Sequence, residues 1–330
     1  MSVTLEKKED AGRVSRWNVG QIERSIKLGA GLVLMAFVTT HLLNHATGVF
    51  GLDAMSAIQE IRTAIWRSRP GSILLYGAAA LHVVLTLRRV LGRSTWRMPW
   101  REALQIVLGL LIPLMLVGHV SSTRLATEVA GTDDSYVYVL RYLWPQHALL
   151  QIAMLLVVWC HGCLGIYFAF HVRRWFTRLR HVLAALAVLV PALAIAGFAA
   201  GAREAIGSKA PPEIWTPRQL ELITASTFWT EMGAFGLIGI FLAAITLMEI
   251  RRRLSRVVTI RYMGHGEIKG RIGPTLLEIS RLNRISHPST CGGRGRCSSC
   301  RVLVIDGADT LPAPQAIERR LLDRIQAPRN

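Results

Sequence analysis

The sequence predicts a six-helix membrane bundle followed by a small α+β domain. Three observations carry that expectation. Hydrophobic residues make up 51% of the chain and gather in long runs. Clusters of arginine follow alternate runs. After residue 253 the long runs stop and short strand-like and helix-like segments begin. A helix needs about 20 apolar residues to cross a hydrocarbon core, and apolar residues gathered in this way are the mark of membrane proteins. The expected boundaries are a polar arm at 1–27, a membrane domain at 28–253 and a small domain at 254–330. The net charge of +18 does not imply nucleic acid. The basic residues flank apolar runs, as the positive-inside rule describes, and no stacking aromatics lie among them.

The arm carries Lys7, Lys8, Arg13, Arg16, Arg24 and Lys27, so it is expected on the cytoplasmic side. It has no apolar core, and no cleavable signal peptide is expected. The first span then runs outward, LGAGLVLMAFVTTHLLNHATGVF, from Leu28 to Phe50. In the connection 51–71, AMSAIQEIRTAIW reads as a short amphipathic helix at the outer surface. Span two covers Ser72 to Val90, with Arg88, Arg89, Arg93, Arg97 and Arg101 at and beyond its inner end. Span three covers Ala103 to Val120, with a kink expected at Pro113. An acidic outer connection holds Glu128, Asp133 and Asp134.

Span four covers His147 to Phe170, and Arg173, Arg174, Arg178 and Arg180 follow it on the inside. Span five covers Val182 to Ala200, with Pro191 at its centre. The connection 203–227, with Pro211, Pro212 and Pro217, is expected as an outer loop. Span six covers Phe228 to Ile250 and ends in Arg251, Arg252 and Arg253. Six spans put both termini in the cytoplasm of a multi-pass protein in a lipid bilayer. Arg62, Arg67 and Arg69, in the first outer connection, run against that asymmetry.

In the small domain, VVTIRYM and IKGRIG read as strands joined by the turn GHGE. PTLLEISRLNRI has helical spacing with proline at its start, RVLVIDG reads as a third strand, and PQAIERRLLDRI reads as a short basic helix.

Histidine inside a membrane span is costly and is a functional candidate by default. The first four spans carry His41, His82, His119 and His161. A helix rises ~1.5 Å per residue, which places His41 roughly 21 Å beyond Lys27 and His119 at a similar level. His82 and His161, on spans running inward, share a level in the inner half. Pairs His41–His119 and His82–His161 would be axial ligands of two stacked haems, as helical bundles hold them. The alternative for each is a core histidine bonded to a neighbouring carbonyl. His45 shares a face with His41 and is either the competing ligand or a contact to a propionate or a quinone oxygen.

His147, His171 and His181 lie at span ends, where an interfacial role is expected; His265 and His287 belong to the soluble part. Cys160 and Cys163 bracket His161 in the order C-H-x-C, which is not the C-x-x-C-H of covalent haem attachment, and are read as packing. Glu231 is either a proton or quinone contact or a solvated headgroup residue.

The most specific signal is CGGRGRCSSC. Cys291, Cys297 and Cys300 offer three thiolates from one tight glycine-rich loop, as a ferredoxin-type [2Fe–2S] cluster requires. A zinc site is the alternative. The cluster needs a fourth cysteine, and these residues contain none for it. The domain therefore reads as truncated, and a stable cluster is expected only if a fourth ligand is supplied.

Residues 26–250 resemble the dihaem cytochrome b anchor of succinate dehydrogenase and fumarate reductase. The cue is the sense G-x-x-L-x-x-F-x-x-x-H-L across Gly31 to Leu42, with one histidine on each of the first four spans. That anchor together with CGGRGRCSSCRVLV resembles the N-terminal half of bacterial membrane-bound class III adenylate cyclases, with a six-helix haem anchor and a β-grasp ferredoxin domain. The resemblance implies two haem b groups on His41, His82, His119 and His161, and cluster ligation by Cys291, Cys297 and Cys300. It also implies a bacterial inner (cytoplasmic) membrane location, quinone or quinol as redox partner, and a homodimer. Cyclase activity is implied for a longer parent only. No catalytic aspartates for two-metal nucleotide chemistry can be placed in these residues. The rival expectations are a quinone-linked anchor subunit of a respiratory oxidoreductase and a passive membrane anchor.

Overall fold

The computed structural model describes residues 19–327 apart from 94, 95, 97, 212, 213, 294, 296 and 315. Lys7, Lys8, Arg13, Arg16, Arg97 and Pro212 thus lie outside the described residues. Lys27–Arg256 forms one compact unit, and the residues from Val257 onward belong to a second.

The first unit is helical throughout. Helix α1 (Val19–Ala46) begins inside the polar arm and closes in a 3-10 turn at Thr47–Phe50. The amphipathic segment forms α2 (Leu52–Trp66). Next come α3 (Arg69–Leu91) and α4 (Trp100–Val120), which runs through a π turn at Ser121–Leu125 into α5 (Ala126–Ala130). Helix α6 (Tyr136–Leu143) precedes α7 (Ala148–Phe170), α8 (Arg174–Gly207) and α9 (Pro217–Arg253). Helices α1, α3, α4, α7, α8 and α9 are long and apolar enough to cross a membrane. Most of their surface is not covered by protein, and the exposed side chains include Ile73, Leu149, Val188, Leu237 and Ile240. Such a surface calls for hydrocarbon around it.

Helix starts follow their local chemistry. Ser68 accepts the Gly71 amide ahead of Pro70, and Thr216 forms a capping box with Gln219 ahead of α9. The connection 203–227, expected as a loop, is mostly helical: α8 continues to Gly207 and α9 begins at Pro217. Two contacts favour the extra turns. Arg141 of α6 donates to the carbonyls of Ala205, Ser208 and Ala210 at 2.8, 2.7 and 3.0 Å, satisfying the end of α8. Glu204 accepts the Leu52 amide at 3.0 Å and so caps α2 from across the bundle.

Helix α8 is the central element. One cluster packs Leu52, Met55, Tyr136, Leu140, Leu143, Phe198 and Ala202 between α2, α6 and α8. A second packs Leu42 and Trp159 against Val190 and Ala194. At Gly48 and Gly197 the backbones of the 3-10 turn and α8 touch, and a Cβ at either position would overlap a backbone carbonyl. Small residues at such a crossing are how membrane helices gain contact without a hydrophobic driving force. Pro191 lacks the amide that would bond the Ala187 carbonyl. The Trp159 indole N–H fills that place at 2.9 Å.

The second unit pairs β1 (Val257–Tyr262) antiparallel with β2 (Gly266–Arg271), with Ile260 opposite Ile268. Helix α10 (Leu276–Leu282) starts at a Thr275–Glu278 capping box, and α11 (Ala316–Arg324) follows the cysteine loop. This is the small α+β domain the sequence predicts after the bundle. The expected third strand, RVLVIDG, does not form. Alternating apolar residues satisfy the period of a strand, but a strand also needs a ladder. Among the described residues the sheet holds β1 and β2 alone, and Val302, Leu303 and Ile305 stand exposed.

Replacing Trp159 by Phe keeps an aromatic ring but removes the donor to Ala187 and part of the buried ring volume. The expected loss is at least about 1 kcal/mol, the net value of one intramembrane hydrogen bond, with the lost packing added to it. Thermal denaturation in detergent measures it, and an unchanged midpoint would mean the Ala187 carbonyl finds another donor.

Candidate functional site

The bundle brings its four mid-span histidines together in two pairs. His41 of α1 and His119 of α4 have ring centroids 6.0 Å apart with planes at 65°. His82 of α3 and His161 of α7 have centroids 6.3 Å apart with planes at 81°. Metal–imidazole bonds are about 2 Å long, so two rings facing across one ion have centroids roughly 6 Å apart. Both pairs stand at that spacing.

In His119 and His82 a hydrogen-bond partner sets the tautomer. His119 Nδ1–H donates to the Gln151 side-chain oxygen at 3.0 Å, and His82 Nδ1–H donates to the Lys27 carbonyl at 3.4 Å. Neutral rings bonded in this way keep a lone pair on Nε2, the arrangement that a metal-binding histidine needs. Nδ1 of His41, His45 and His161 is buried with no partner among the described residues. Gln105 donates its amide to the His161 carbonyl at 3.1 Å and stands 3.4 Å from His161 Nε2. Two glycines leave room beside the second pair. A Cβ at Gly31 would lie 3.2 Å from His82 Cε1, and one at Gly109 would lie 3.0 Å from His161 Cε1. The spacing of both pairs, the tautomers of His119 and His82 and the glycine cradle of the second pair fit a haem that each pair of imidazoles would hold.

His45 lies beside His41, Nε2 to Nε2 at 3.3 Å, and beside Tyr136 with ring centroids 5.7 Å apart. Asn44, fully buried, donates to the Tyr136 hydroxyl at 2.7 Å. Burial pushes the Tyr136 phenol up to about 12, so it stays protonated. Burial likewise lowers the Arg62 guanidinium of α2 from its ordinary value, beside Tyr136, Arg67 and Asp134. Arg67 and Asp134 form an ion pair. Sequence reasoning passes over Gln105, Gln151 and Asn44. The available signal is a polar amide inside an apolar run, which must find a partner there.

The other candidates separate. Cys163 packs against Trp159 and Leu42, while Cys160 is exposed on α7. Glu231 is half-buried on α9. His171 bonds the Tyr167 carbonyl within its own turn, and His147 stacks near Tyr142.

In the second unit, residues 291–300 turn through left-handed backbone at Gly292, Gly293, Gly295 and Ser298. Gly293 lies under α10, where a Cβ would come within 2.9 Å of Leu277. Cys291 is buried, and Cys297 and Cys300 are half-buried. The Ser299 hydroxyl binds Cys297 Sγ at 3.1 Å and accepts the Thr290 amide at 2.9 Å, tying the two ends of the loop. Among the described residues no three His, Cys, Asp or Glu side chains surround a single metal position. The loop supplies three of the four thiolates a [2Fe–2S] cluster takes. Residues 254–330 hold no fourth cysteine, since the remaining two are Cys160 and Cys163 in α7.

Burial pushes the Cys297 thiol up, but hydrogen bonds from Ser299 and Cys291 outweigh it and bring it down to about 7. Burial raises the Cys300 thiol, and the neighbouring Cys291 and Cys297 raise it further. The thiolate is the nucleophile. In metal-free protein, alkylation of Cys297 should therefore rise through pH about 7, while that of Cys300 rises only above the ordinary thiol range. Peptide mapping of iodoacetamide adducts against pH checks this, and equal profiles would contradict it.

Residues 265–324 match the family model of the 2Fe-2S iron-sulfur cluster binding domain. A 2Fe-2S ferredoxin-5 from Aquifex aeolicus is 36% identical over 59 residues, which are 18% of this chain and 62% of that protein. Chlorosome protein J from Chlorobaculum tepidum is 33% identical over 61 residues, 18% of this chain and 27% of that protein. The chain thus spans less than two thirds of the length of either relative. No solved structure matches it. With the loop geometry above, the match identifies a [2Fe–2S] ferredoxin-type domain in the C-terminal region, behind a helical region with six helices able to cross a membrane.

Proposed function

We propose that the chain is a membrane-embedded dihaem electron-transfer module with a fused ferredoxin domain. His41 and His119 would hold one haem b, and His82 and His161 the other. The observation that carries this reading is the pair of ring separations, 6.0 and 6.3 Å, on four helices. When bound, haem b and a [2Fe–2S] cluster supply one-electron redox chemistry, and the protein's part is to fix their ligands and surroundings.

The chain's own residues divide that work. Gln151 and the Lys27 carbonyl orient His119 and His82, so that each presents Nε2. Gly31 and Gly109 keep side chains out of the space beside the second pair. His45 neighbours His41 and is the residue placed to contact a quinol or a haem carboxylate. Cys291, Cys297 and Cys300 are the cluster ligands, and a fourth thiolate has to come from elsewhere.

Three further parts of the reading rest on the positive-inside pattern and the family resemblance. The arginine-rich ends of α3 and α9 and the arginine-rich start of α8 face the cytoplasm, in a bacterial inner membrane. Quinol is the proposed reductant. The redox state would regulate an adenylate cyclase output domain carried by a longer parent, working as a homodimer.

The test is a dithionite-reduced minus oxidised spectrum of the purified protein, with haem quantified per polypeptide. Two b-type haems are expected. His82→Ala or His161→Ala should each remove one haem and spare the other. His41→Ala or His119→Ala should do the reverse. Absence of haem in protein purified from haem-replete cells would overturn the proposal. Retention of both haems in every single variant would overturn the ligand assignment.

A further inference from the structure

We propose that His287, which is not a cluster ligand in this reading, is the positioning residue of the cysteine loop. It locks the Cys300–Arg301 peptide to α10 and β1. The inference rests on the cluster reading only for its last arm.

The argument begins with donors and acceptors. His287 Nε2 lies 3.0 Å from the Cys300 carbonyl oxygen, which can only accept. Nε2 therefore carries the proton, and in the neutral ring Nδ1 is an acceptor. Nδ1 lies 2.9 Å from Ser280 Oγ, whose single proton it shares with the Leu276 carbonyl at 2.8 Å. Ser280 Oγ in turn lies 2.8 Å from the Tyr262 hydroxyl, which also has the Leu276 carbonyl at 3.3 Å. The Leu276 carbonyl thus accepts alongside a chain of contacts that runs from Tyr262 through Ser280 and His287 to Cys300. Ser280 is fully buried, so water does not compete at the middle of the chain.

The far end of this chain is half of a clamp. Arg301 N–H donates to the Ser298 carbonyl at 3.2 Å. The peptide between Cys300 and Arg301 is thus held at its carbonyl by His287 and at its amide by Ser298. Ser298 itself sits at φ 60°, a left-handed conformation that a non-glycine residue keeps only when its surroundings impose it. A second tie, Arg281 Nη2 to Ser289 Oγ at 2.8 Å, joins α10 to the segment between His287 and Cys291. Helix α10 therefore grips the loop both ahead of its first cysteine and at its last. The grip at the last passes through one imidazole. Without it Ser280 keeps Leu276 and Tyr262, but the Cys300 carbonyl loses its tie to α10, and Cys300 is free to turn about its own backbone.

The experiment uses the full chain in detergent, metal-free, with iodoacetamide adducts mapped to each cysteine. In His287→Ala the labelling rate of Cys300 relative to Cys297 should rise ~five-fold, the factor carried by one neutral hydrogen bond. In His287→Gln, whose amide N–H can still reach the carbonyl, the ratio should return toward that of the unmodified protein. An unchanged ratio in His287→Ala overturns the proposal. Rapid labelling of the buried Cys291 would mark unfolding of His287→Ala. The decision then passes to His287→Gln and Ser280→Ala, and a Cys300 ratio in His287→Gln that matches a Phe substitution overturns it.

A second arm supplies ferric iron, sulfide and glutathione, the last as source of the fourth thiolate, under anaerobic conditions and records the spectrum of the dithionite-reduced protein by electron paramagnetic resonance. Altered g-values in His287→Ala, restored in His287→Gln, support a positioning role, because a packing defect alone would lower only the yield. Unchanged g-values oppose it. Failure of the unmodified protein to take up any cluster would count against cluster binding, while the labelling ratios still decide on His287.

Discussion

A polar group in hydrocarbon has no water to turn to, and this constraint organises the bundle. The Trp159 indole supplies the donor that Pro191 removes from Ala187. The Gln151 side-chain oxygen accepts the His119 Nδ1–H, and the Lys27 carbonyl accepts that of His82. Asn44 reaches Tyr136 on a different element. Each arrangement joins two elements through an atom that could not be left alone. Among the described residues Nδ1 of His41, His45 and His161 has no partner, and neither have Asn44 Oδ1, Gln105 Oε1 and Ser121 Oγ, so the internal pairing runs short at several buried positions, the histidine pairs among them.

The spans were legible because length and hydropathy are properties of the chain alone. Histidine depth was also legible, since rise per residue turns sequence position into height. Height says nothing about azimuth, and so His45 could not be separated from His41. The structure puts the two rings in contact. Helix α6 went unread for another reason. Tyr136–Leu143 is short, and its burial depends on Met55 and Phe198, which lie far away in sequence. The extra turns of α8 depend on Arg141 and Glu204, again across the bundle. RVLVIDG failed in the opposite direction: its period is that of a strand, but a strand is a property of two segments, and β1 and β2 pair only with each other among the described residues.

The glycines follow the same division. Gly48 and Gly197 let two backbones meet, and a side chain at either would have to push α8 off the 3-10 turn that follows His45. Since α8 also carries Phe198, which lies beside His45 with ring centroids 6.2 Å apart, the crossing sets the position of that histidine as well as the packing. Gly31 and Gly109 act differently, by leaving space beside rings rather than by bringing backbones together.

The two units meet the problem of presenting ligands by different means. In the bundle the helices are rigid, so a histidine is placed by its depth and by one hydrogen bond to the next helix. The cysteine loop has no regular structure to lean on. Its backbone enters left-handed conformations at three glycines and at Ser298, which cost free energy unless neighbours hold them. Among the described residues the neighbours include Leu277 beneath Gly293, Ile317 of α11 beside Gly295, Ser299 between the loop ends, and α10 acting through Arg281 and His287. For that reason the local hydrogen bonds of Ser280 and His287 carry weight that no burial of apolar area in so small a domain could replace.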